Sequence, residues 1–459
     1  MHPFDWRGGV LHADEVPVPE IAAAVGTPTY VYSATAIRAA YRRLEAAFSP
    51  LRARLRYAVK ASPNLHLCRL LRSLGAGMDV VSGGELERAW LAGAPMADMV
   101  FAGVGKSDAE IRAALDGRFS PMREAAERFG MADPAGRGPV GLLNVESESE
   151  LRSIARIGAE LGVRARAAVR VNPNVDPHTH EYTTTGKEEN KFGIDADRIV
   201  ELFERYAGSP GVELVGLHVH IGSPVPLVEP YAEAIAVVST LIDELAARGH
   251  HVSVLDLGGG WPVDYRDGEV PPLEAYAERI VPLLAARVAA GLEVCLEPGR
   301  SILANSGVLL SRVQHVKHGR AKTFVIGDAG MHTLLRPALY RAFHFAWPVA
   351  WDGPRPTFAE DPGLPNLTPC DLVGPICETG DFLARSRPLP PIEQGELVAV
   401  FSAGAYGMSM CSNYNDHGRP AEVLVDGDTV TVINERQSLA ALLETERLPR
   451  TLPRLGVTA

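Results

Sequence analysis

The chain has 459 residues, of which 46 % are hydrophobic and 22 % charged. This composition is typical of a globular protein with a large core, and the length favours two domains over one. The formal net charge of −11 argues against a nucleic-acid-binding surface and against a polybasic membrane-binding patch.

The chain carries no sign of export or of membrane insertion. Its first residues, MHPFDWRGGVLHADEV, lack the charged and apolar regions of a signal peptide. No apolar run reaches the ~18 residues of a membrane span. The five cysteines are scattered, without the spacing of a zinc site or of a disulfide framework. We therefore expect a cytoplasmic protein without a bound metal and without membrane or nucleic-acid partners.

Short β-branched segments alternate with longer helical patterns between residues 54 and 300. The predicted strands cover residues 54–61, 77–82, 99–103, 141–146, 164–172, 213–222, 253–259 and 293–300. Helical patterns such as 84–93, 147–162 and 273–291 lie between them. Repeated strand–helix units of this number predict a (β/α)8 barrel. A doubly wound open sheet is the alternative, but it usually has fewer repeats and a glycine-rich turn after its first strand.

The regions outside these repeats indicate an insertion and a second domain. Residues 118–139 separate a helix from the next strand by more than the usual ~2–6 residues, which predicts a surface insertion. After residue 310, short strands with frequent turn signals predict a mostly β domain, which the strand-like segment 27–33 is expected to join. We predict a barrel domain of residues 35–308 and a β domain of residues 1–34 and 309–459.

Lys60 ends the first predicted barrel strand, RYAVKAS. Strand alternation places it on one face with Arg56 and Ala58, pointing inward at the carboxyl end, where barrel enzymes place their chemistry. A lone lysine at a strand end is more often a solvated surface charge. Its meaning therefore depends on the residues around it.

Two other predicted strands carry polar residues in apolar surroundings. Asp79 lies in GMDVVS, and His218 and His220 share one face in GLHVHIGS. A buried polar group costs ~1–3 kcal/mol unless it is hydrogen-bonded. These groups either satisfy one another or surround a planar aromatic ligand.

Glycine-containing segments follow the seventh and eighth predicted strands. Gly258, Gly259 and Gly260 in LDLGGGW form either a plain turn or a place where backbone N–H groups approach a phosphate. Glu297 to Arg300, EPGR, form either an ion pair or two contacts for one charged ligand. Barrels often hold phosphate in these two loops.

The ordered motifs together resemble a known family. The chain contains YAVKAS, MDVVSGGEL, RVNPNVD, ENKFGI, GLHVHIGS, LDLGGGW, EPGRS, DAGMHTLLRPALY, GPICETGD, GAYGMSMCSNYN and RPAEVLVDG between residues 57 and 427. This series resembles the fold-type III pyridoxal-phosphate-dependent decarboxylases, the family of ornithine, diaminopimelate and arginine decarboxylases. The resemblance implies an alanine-racemase-like (β/α)8 barrel, a C-terminal mostly β domain that also recruits the N-terminal segment, and pyridoxal 5′-phosphate as cofactor.

The resemblance also implies roles for individual residues. Lys60 would carry the cofactor as a Schiff base, His220 would stack on its pyridine ring, and Glu297 would contact the pyridine nitrogen. The remaining cofactor-binding residues that it implies are Asp79, Ser223, Gly259, Pro298, Gly299, Arg300 and Tyr406.

Cys377 would be the second catalytic residue, as the acid that protonates Cα after CO2 has left. A free thiol, with a pKa of ~8.5, is mostly protonated near neutrality. The other four cysteines are expected to be inert buried thiols. The implied substrate-binding residues are Arg300, Arg336 and Tyr340 for a distal carboxylate, Glu378 for a distal ammonium, and Tyr406. Cys377 and Glu378 would reach the active site of a neighbouring subunit, so that a homodimer is required.

The implied reaction is decarboxylation of meso-2,6-diaminopimelate to L-lysine and CO2. One alternative is a decarboxylase of ornithine, lysine or a carboxylated polyamine, which Arg336, Tyr340 and Glu378 argue against. Another is a non-catalytic cofactor-binding homologue, which Lys60 and Cys377 argue against. The chain departs from the family pattern at Thr379, where serine is common, and at His332, where asparagine is usual. Residues 178–194 resemble the family's mobile loop.

Overall fold

The computed structural model describes residues 3–117, 138–177, 185–186 and 191–446. The predicted insertion at 118–139 and the predicted mobile loop at 178–194 therefore lie largely outside the described residues. The strands before the barrel are β1 (Phe4–Arg7), β2 (Val10–Ala13), β3 (Val16–Pro17) and β4 (Thr29–Ser33). The barrel strands are β5 (Arg54–Ala58), β6 (Gly77–Val80), β7 (Met99–Phe101), β8 (Leu142–Val145), β9 (Ala165–Asn172), β11 (Val212–His218), β12 (Val254–Asp256) and β13 (Glu293–Leu296), and the short β10 (Ile194–Asp195) pairs with β9.

The eight parallel barrel strands pair in chain order, and the ring closes because β13 pairs with β5. The prediction of a (β/α)8 barrel is confirmed, and the open sheet is excluded. Six neighbouring strands each contribute one side chain to a small buried cluster: Val100, Leu142, Ala168, Val215, Val254 and Cys295. Because this cluster is separate from the main core, it fills the barrel interior, as barrels of this size require.

The helices include those that cover the barrel and those that border it. They are α1 (Val18–Val25), α2 (Ala34–Ala47), α3 (Leu65–Ser73), α4 (Gly83–Leu91), α5 (Asp108–Asp116), α6 (Glu148–Leu161), α7 (Ile199–Tyr206), α8 (Glu229–Ala247), α9 (Leu273–Ala289), α10 (Arg300–Leu303), α11 (Arg336–Tyr340) and α12 (Leu439–Leu442). The predicted helical patterns match α4, α6 and α9 to within two residues at each end. Ser82, Ser107 and Ser147 accept hydrogen bonds from backbone N–H groups in the first turns of α4, α5 and α6, which explains where these helices begin.

All eight barrel strands are shorter than the sequence suggested, and at two of them the difference moves a residue placed by strand alternation off its strand. β5 ends at Ala58, so Lys60 lies in a 3-10 turn, Val59–Ala61, and the argument that placed it by strand alternation was wrong. β11 ends at His218, so His220 lies beyond the strand. The cause at β5 is that Ala58 is its last residue paired with β6, while its N–H donates to Pro298 O at 3.0 Å.

The second domain is built around a mixed sheet. Its later strands are β14 (Gly307–His318), β15 (Thr323–Gly327), β16 (Ala346–Pro348), β17 (Thr368–Val373), β18 (Phe382–Leu389), β19 (Leu397–Val400), β20 (Ala421–Asp426) and β21 (Thr429–Asn434). β4 lies between β14 and β20 in this sheet. The prediction that the N-terminal segment joins the C-terminal β domain is therefore confirmed. The three-stranded sheet β1–β3 was not predicted.

The barrel and the mixed sheet meet where two glycines pack together. A Cβ on Gly404 would lie 2.1 Å from Leu303 O, and a Cβ on Gly307 would lie 2.7 Å from Gly404 Cα. No residue with a side chain larger than hydrogen fits there without movement. Within the described part of the chain, no helix is both long enough and apolar enough to cross a membrane.

We expect Gly404→Ala to destabilise the protein, because its methyl group would overlap backbone atoms at this junction. The expected loss in the free energy of unfolding is about 1–3 kcal/mol, measured by urea denaturation. Gly105→Ala is the matched control, since nothing lies within 4 Å of a Cβ at that exposed position. Equal stability of the two variants would contradict the tight junction.

Candidate active site

Lys60 lies at the carboxyl end of the barrel strands. Its Nζ donates a hydrogen bond to Oδ2 of Asp79, which is fully buried on β6, whereas 33 % of the Lys60 side chain is exposed. Burial alone would lower the pKa of Lys60, but the carboxylates of Asp79 and Glu297 outweigh it and raise that pKa above its ordinary value. The amine is therefore held as an ammonium at the accessible edge of an acidic pocket.

Two further carboxyl groups lie in this pocket. Asn144 Nδ2 donates to Asp256 Oδ2 at 3.3 Å and to Glu297 Oε1 at 3.2 Å. Burial and the charge of Glu297 raise the pKa of Asp256 to about 7. Burial and the charge of Asp79 raise the pKa of Glu297 to about 7. Because one ionised carboxylate disfavours ionisation of the other, the pair retains a proton near neutrality.

The two histidines of GLHVHIGS have different surroundings. His218 Nε2 lies 3.7 Å from Glu297 Oε2, and neither ring nitrogen of this buried side chain has a hydrogen-bond partner among the described residues. Burial lowers the pKa of His218 to about 4, so the ring is neutral. His220 Nδ1 accepts a hydrogen bond from Gly259 N–H at 3.1 Å, which leaves its ring held at the glycine turn. Burial, then the charge of Arg170, lowers the pKa of His220 well below its ordinary value.

His218, Asp256 and Glu297 form a set of donor atoms that suits either a metal ion or a shared proton. His218, Asp256 and Glu297 place three possible metal-ligand atoms within 4.8 Å of one another. The two carboxyl groups are already joined through Asn144. A proton shared between them therefore accounts for the arrangement without an ion.

Two N–H groups of the glycine turn have partners within the protein. Gly258 N–H donates to Asp256 Oδ1 at 2.9 Å, and Gly259 N–H donates to the ring of His220. These two N–H groups therefore form hydrogen bonds within the protein in this structure. A Cβ on Gly259 would lie 2.3 Å from Glu297 O, so the glycine allows the turn to pack directly against the end of β13.

EPGR packs against the turn that carries Lys60. A Cβ on Gly299 would lie 3.0 Å from the side chains of Ala58 and Ala61. On the other side of this turn, Tyr406 N–H donates to Ala61 O at 2.8 Å. Tyr406 has a φ of +56°, a left-handed conformation that few non-glycine residues adopt. The turn is thus held between the barrel and a loop of the β domain.

Two buried arginines line a cavity of about 160 Å³. Arg300 is 5 % exposed, and Arg336 is 6 % exposed. Arg300 donates from Nε to Ser223 Oγ at 3.2 Å and from Nη1 to Tyr265 Oη at 2.7 Å. Neither arginine forms an ion pair with a carboxylate of the described chain. A buried charge without a partner is costly, so the cavity favours an anionic ligand.

Aromatic rings hold the two guanidinium groups from several sides. The Tyr265 ring centroid lies 5.3 Å from the Arg336 guanidinium and 6.0 Å from that of Arg300. The Tyr406 ring lies 4.8 Å from Arg300, and the Tyr340 ring lies 6.0 Å from Arg336. Burial would raise the pKa of Tyr265, but the two arginines outweigh it and lower that pKa. These contacts bring Arg300, Arg336, Tyr340 and Tyr406 into one site.

Cys377 and Glu378 lie elsewhere, on an exposed loop between β17 and β18. Cys377 N–H donates to Asn415 Oδ1 at 3.0 Å, and Tyr414 Oη donates to Glu378 Oε2 at 2.9 Å. The hydrogen bonds of the described residues do not connect this loop to Lys60. The other four cysteines are buried, and burial raises the pKa of Cys68 and of Cys411 to about 12.

Several residues of the site were not predicted. Asn144 and Asp256 are polar residues within short apolar strands, the same signal that identified Asp79, and could have been found. Tyr265 lies in an irregular segment after the glycine turn, and His344 lies in an aromatic run, RAFHFAW. Neither position has a sequence pattern that indicates contact with an arginine.

Comparison with known proteins identifies the family. Residues 34–304 match the family described as pyridoxal-dependent decarboxylase, pyridoxal binding domain. Diaminopimelate decarboxylase of Pseudomonas fluorescens is 44 % identical over 98 % of this chain and 99 % of that protein. The chain belongs to the diaminopimelate decarboxylase family.

Solved structures of diaminopimelate decarboxylases agree with this assignment. The Helicobacter pylori enzyme in complex with L-lysine is 36 % identical and covers 93 % of this chain and 98 % of its own, with a TM-score of 0.81. The M. jannaschii enzyme in co-complex with L-lysine is 33 % identical and covers 97 % of this chain and 98 % of its own, with a TM-score of 0.84.

The residues present fit pyridoxal phosphate, the cofactor of this family. Lys60 offers a primary amine at the accessible edge of the pocket. Asp79 Oδ1 and both ring nitrogens of His218 are buried polar atoms without partners among the described residues. A polar aromatic ligand with a ring nitrogen suits a pocket that combines these buried polar atoms with the carboxyl groups of Asp79, Asp256 and Glu297.

We expect the cofactor-free protein to become less stable as pH rises from 5 to 8, in part because of Asp256. Its pKa is raised to about 7 in the folded state, so the folded protein holds a proton that the unfolded chain has released. The stability that this proton provides is complete below the unfolded-state pKa and is lost as pH rises through the folded-state value. Asp256→Asn should therefore show a smaller decline.

Urea denaturation of wild type and Asp256→Asn at pH 5 and pH 8, at fixed protein concentration, measures this effect. Between the two pH values, the free energy of unfolding should fall by at least about 1 kcal/mol less in Asp256→Asn than in wild type. Glu278→Gln, at an exposed position of α9, controls for the loss of one negative charge. Parallel pH profiles for wild type and Asp256→Asn would contradict a raised pKa at this position.

Proposed function

We propose that this chain decarboxylates meso-2,6-diaminopimelate to L-lysine and CO2. The observation that carries the proposal is the pair of buried arginines that have no carboxylate partner among the described residues and that line a cavity with Ser223 and Tyr340. A diamino dicarboxylate supplies the missing anion and still presents an amine to the Lys60 pocket. Ornithine and lysine have a single carboxylate each, which is the one that leaves as CO2. Neither therefore has a second carboxylate for the two arginines.

In this proposal the pocket at the barrel mouth holds the cofactor. Lys60 would hold it through Nζ, Glu297 would contact its ring nitrogen, and His220 would stack on its ring. Asp79, Ser223, Gly259, Pro298, Gly299, Arg300 and Tyr406 complete the contacts. When bound, pyridoxal phosphate supplies an electron sink for the electron pair left on Cα as CO2 departs.

The protein's own groups control where protons are held. Glu297 keeps a proton on the ring nitrogen, which strengthens the electron sink. Asp256, joined to Glu297 through Asn144, takes the proton that a buried carboxyl pair retains near neutrality and leaves Glu297 ionised. In the cofactor-free protein, Asp79 balances the charge of the Lys60 ammonium.

The stereochemistry of the substrate assigns its two ends. Meso-diaminopimelate has one D and one L centre, and L-lysine retains the L centre. The carboxylate on the L centre therefore belongs with Arg300, Arg336 and Tyr340, and CO2 leaves from the D centre near Lys60. Glu378 would take the ammonium at the L centre.

Cys377 is proposed as the acid that protonates Cα, acting in the neighbouring subunit of a homodimer. Two facts support this role. Cys377 is exposed while the other four cysteines are buried, and Glu378 is exposed on the same loop. A site that needs both residues is completed by a second copy of the chain.

We also propose that the chain divides into a barrel domain of residues 35–308 and a β domain of residues 1–34 and 309–459. The start of α2 at Ala34 and of β14 at Gly307 supports these limits. Five free cysteines support a reducing, cytoplasmic location.

Substrate preference tests the arginine pair. We expect CO2 release from diaminopimelate to exceed release from ornithine, and Arg336→Met to lower kcat/KM for diaminopimelate by on the order of 10–100-fold, because a charge-assisted contact is lost. Arg248→Met, on the outside of the barrel, is the matched control. Faster turnover of ornithine by the wild type would refute the proposed substrate.

Mixed dimers test the shared active site. Lys60→Ala and Cys377→Ala should each be inactive as homodimers. Mixing them in equal amounts should restore about a quarter of wild-type activity, because half of the dimers then contain one intact site of two.

The visible absorption of the lysine-bound cofactor provides the control for this experiment. It should persist in Cys377→Ala and be absent in Lys60→Ala. Failure of the mixture to recover activity, with both variants dimeric, would place Cys377 outside the partner's site.

A further inference from the structure

His344 is a buried histidine that contacts two residues of the arginine cavity, Arg336 and Tyr265. It is 0 % exposed. Its Nδ1 lies 2.9 Å from Phe401 O, and its Nε2 lies 3.3 Å from Arg336 Nε. The ring also packs edge-on against Tyr265, with centroids 5.3 Å apart and an angle of 80° between the planes.

These two contacts define the protonation state of the ring. A backbone carbonyl can only accept, so Nδ1 must carry the hydrogen that it donates to Phe401 O. The arginine Nε–H can only donate, so Nε2 must offer a lone pair. Only the neutral Nδ1–H tautomer meets both conditions. Burial and the charge of Arg336 lower the pKa of His344 to about 3, which keeps the ring in its neutral form.

The contact at Nε also determines what Arg336 has left to offer. With Nε directed at His344, its two Nη groups have no hydrogen-bond partner among the described residues. Tyr265 and Tyr340 lie beside the guanidinium plane, which limits its rotation. The terminal nitrogens therefore remain as a fixed pair that suits the two oxygens of one carboxylate.

We propose that His344 is a positioning residue that fixes the guanidinium of Arg336 for the carboxylate at the non-reacting end of the substrate. The inference rests on the proposed function, which assigns that carboxylate to Arg336. It adds that selectivity for a second carboxylate depends on a residue that does not touch the substrate.

Two conservative variants separate the two hydrogen bonds of the ring. The amide of His344→Asn can replace Nδ1 toward Phe401 O, but it is too short to reach Arg336. The amide oxygen of His344→Gln lies one bond further out and can accept from Arg336 Nε. If the ring acts by positioning Arg336, glutamine should preserve its effect and asparagine should not.

The test compares L-lysine with cadaverine as competitive inhibitors of the holoenzyme. L-lysine keeps the carboxylate that Arg336 would bind, whereas cadaverine has none. In His344→Asn we expect affinity for L-lysine to fall by on the order of tenfold, with affinity for cadaverine unchanged. His344→Gln should retain most of the wild-type preference. His250→Asn, at a half-buried histidine that packs against Phe203, is the matched control.

The remaining outcomes are distinguishable. Equal loss of both ligands in His344→Asn, or equal effects of asparagine and glutamine, would indicate a structural role and overturn the inference. Unchanged preference for L-lysine over cadaverine in His344→Asn would overturn the inference and leave the proposed function standing. Absence of that preference in the wild type, together with no turnover of diaminopimelate, would overturn the proposed function and the inference with it.

Discussion

The ion pair between Lys60 and Asp79 is the interaction on which the rest of the site depends. Asp79, Asp256 and Glu297 are buried close together at the mouth of the barrel, and uncompensated buried carboxylates cost several kcal/mol each. The Lys60 ammonium offsets one charge directly, and the raised pKa of the Asp256–Glu297 pair removes another. Under the proposed function, the carboxylate that remains ionised is Glu297, which would face the ring nitrogen of the cofactor.

The position of Lys60 depends on the β domain as much as on the barrel. The turn Val59–Ala61 follows β5 but does not continue it, and its last carbonyl accepts from Tyr406 N–H. Tyr406 in turn packs on Arg300, so one loop of the β domain holds both the lysine and a cation of the substrate cavity. The close packing of Gly404 against Leu303 and Gly307 keeps this loop in place. Two domains that fold around separate sheets therefore form a single site.

The sequence predicted the fold better than it predicted the site. Apolar strands with regular spacing indicated all eight barrel strands, and the polar residue in GMDVVS indicated Asp79. Strand alternation failed at Lys60 and His220, because β5 and β11 end before these residues. Long-range hydrogen bonds, and not strand pairing, fix the backbone after each strand. His344 and Tyr265 could not be predicted, because their meaning arises from contacts with Arg336 and Arg300, which lie at separate places in the chain. The hydrogen bond of Gly259 N–H to His220 could not be predicted either, because it joins separate positions of the chain.

The separation of charge within the site bears on how it discriminates among amino acids. Acidic groups lie around Lys60, whereas Arg300 and Arg336, which form no ion pair with a carboxylate of the described residues, lie around Tyr265. Diaminopimelate carries an amine and a carboxylate at each end, so one amine can lie at the Lys60 pocket while the carboxylate of the other end reaches the arginines. A diamine-forming substrate such as ornithine leaves two buried cations without an anion and brings its own ammonium toward them. Sites built around buried hydrogen-bonding groups reject ligands that lack the partner far more strongly than apolar pockets reject ligands of the wrong size. Under the proposed function, selectivity for a second carboxylate therefore follows from burying two arginines that no carboxylate of the described residues neutralises.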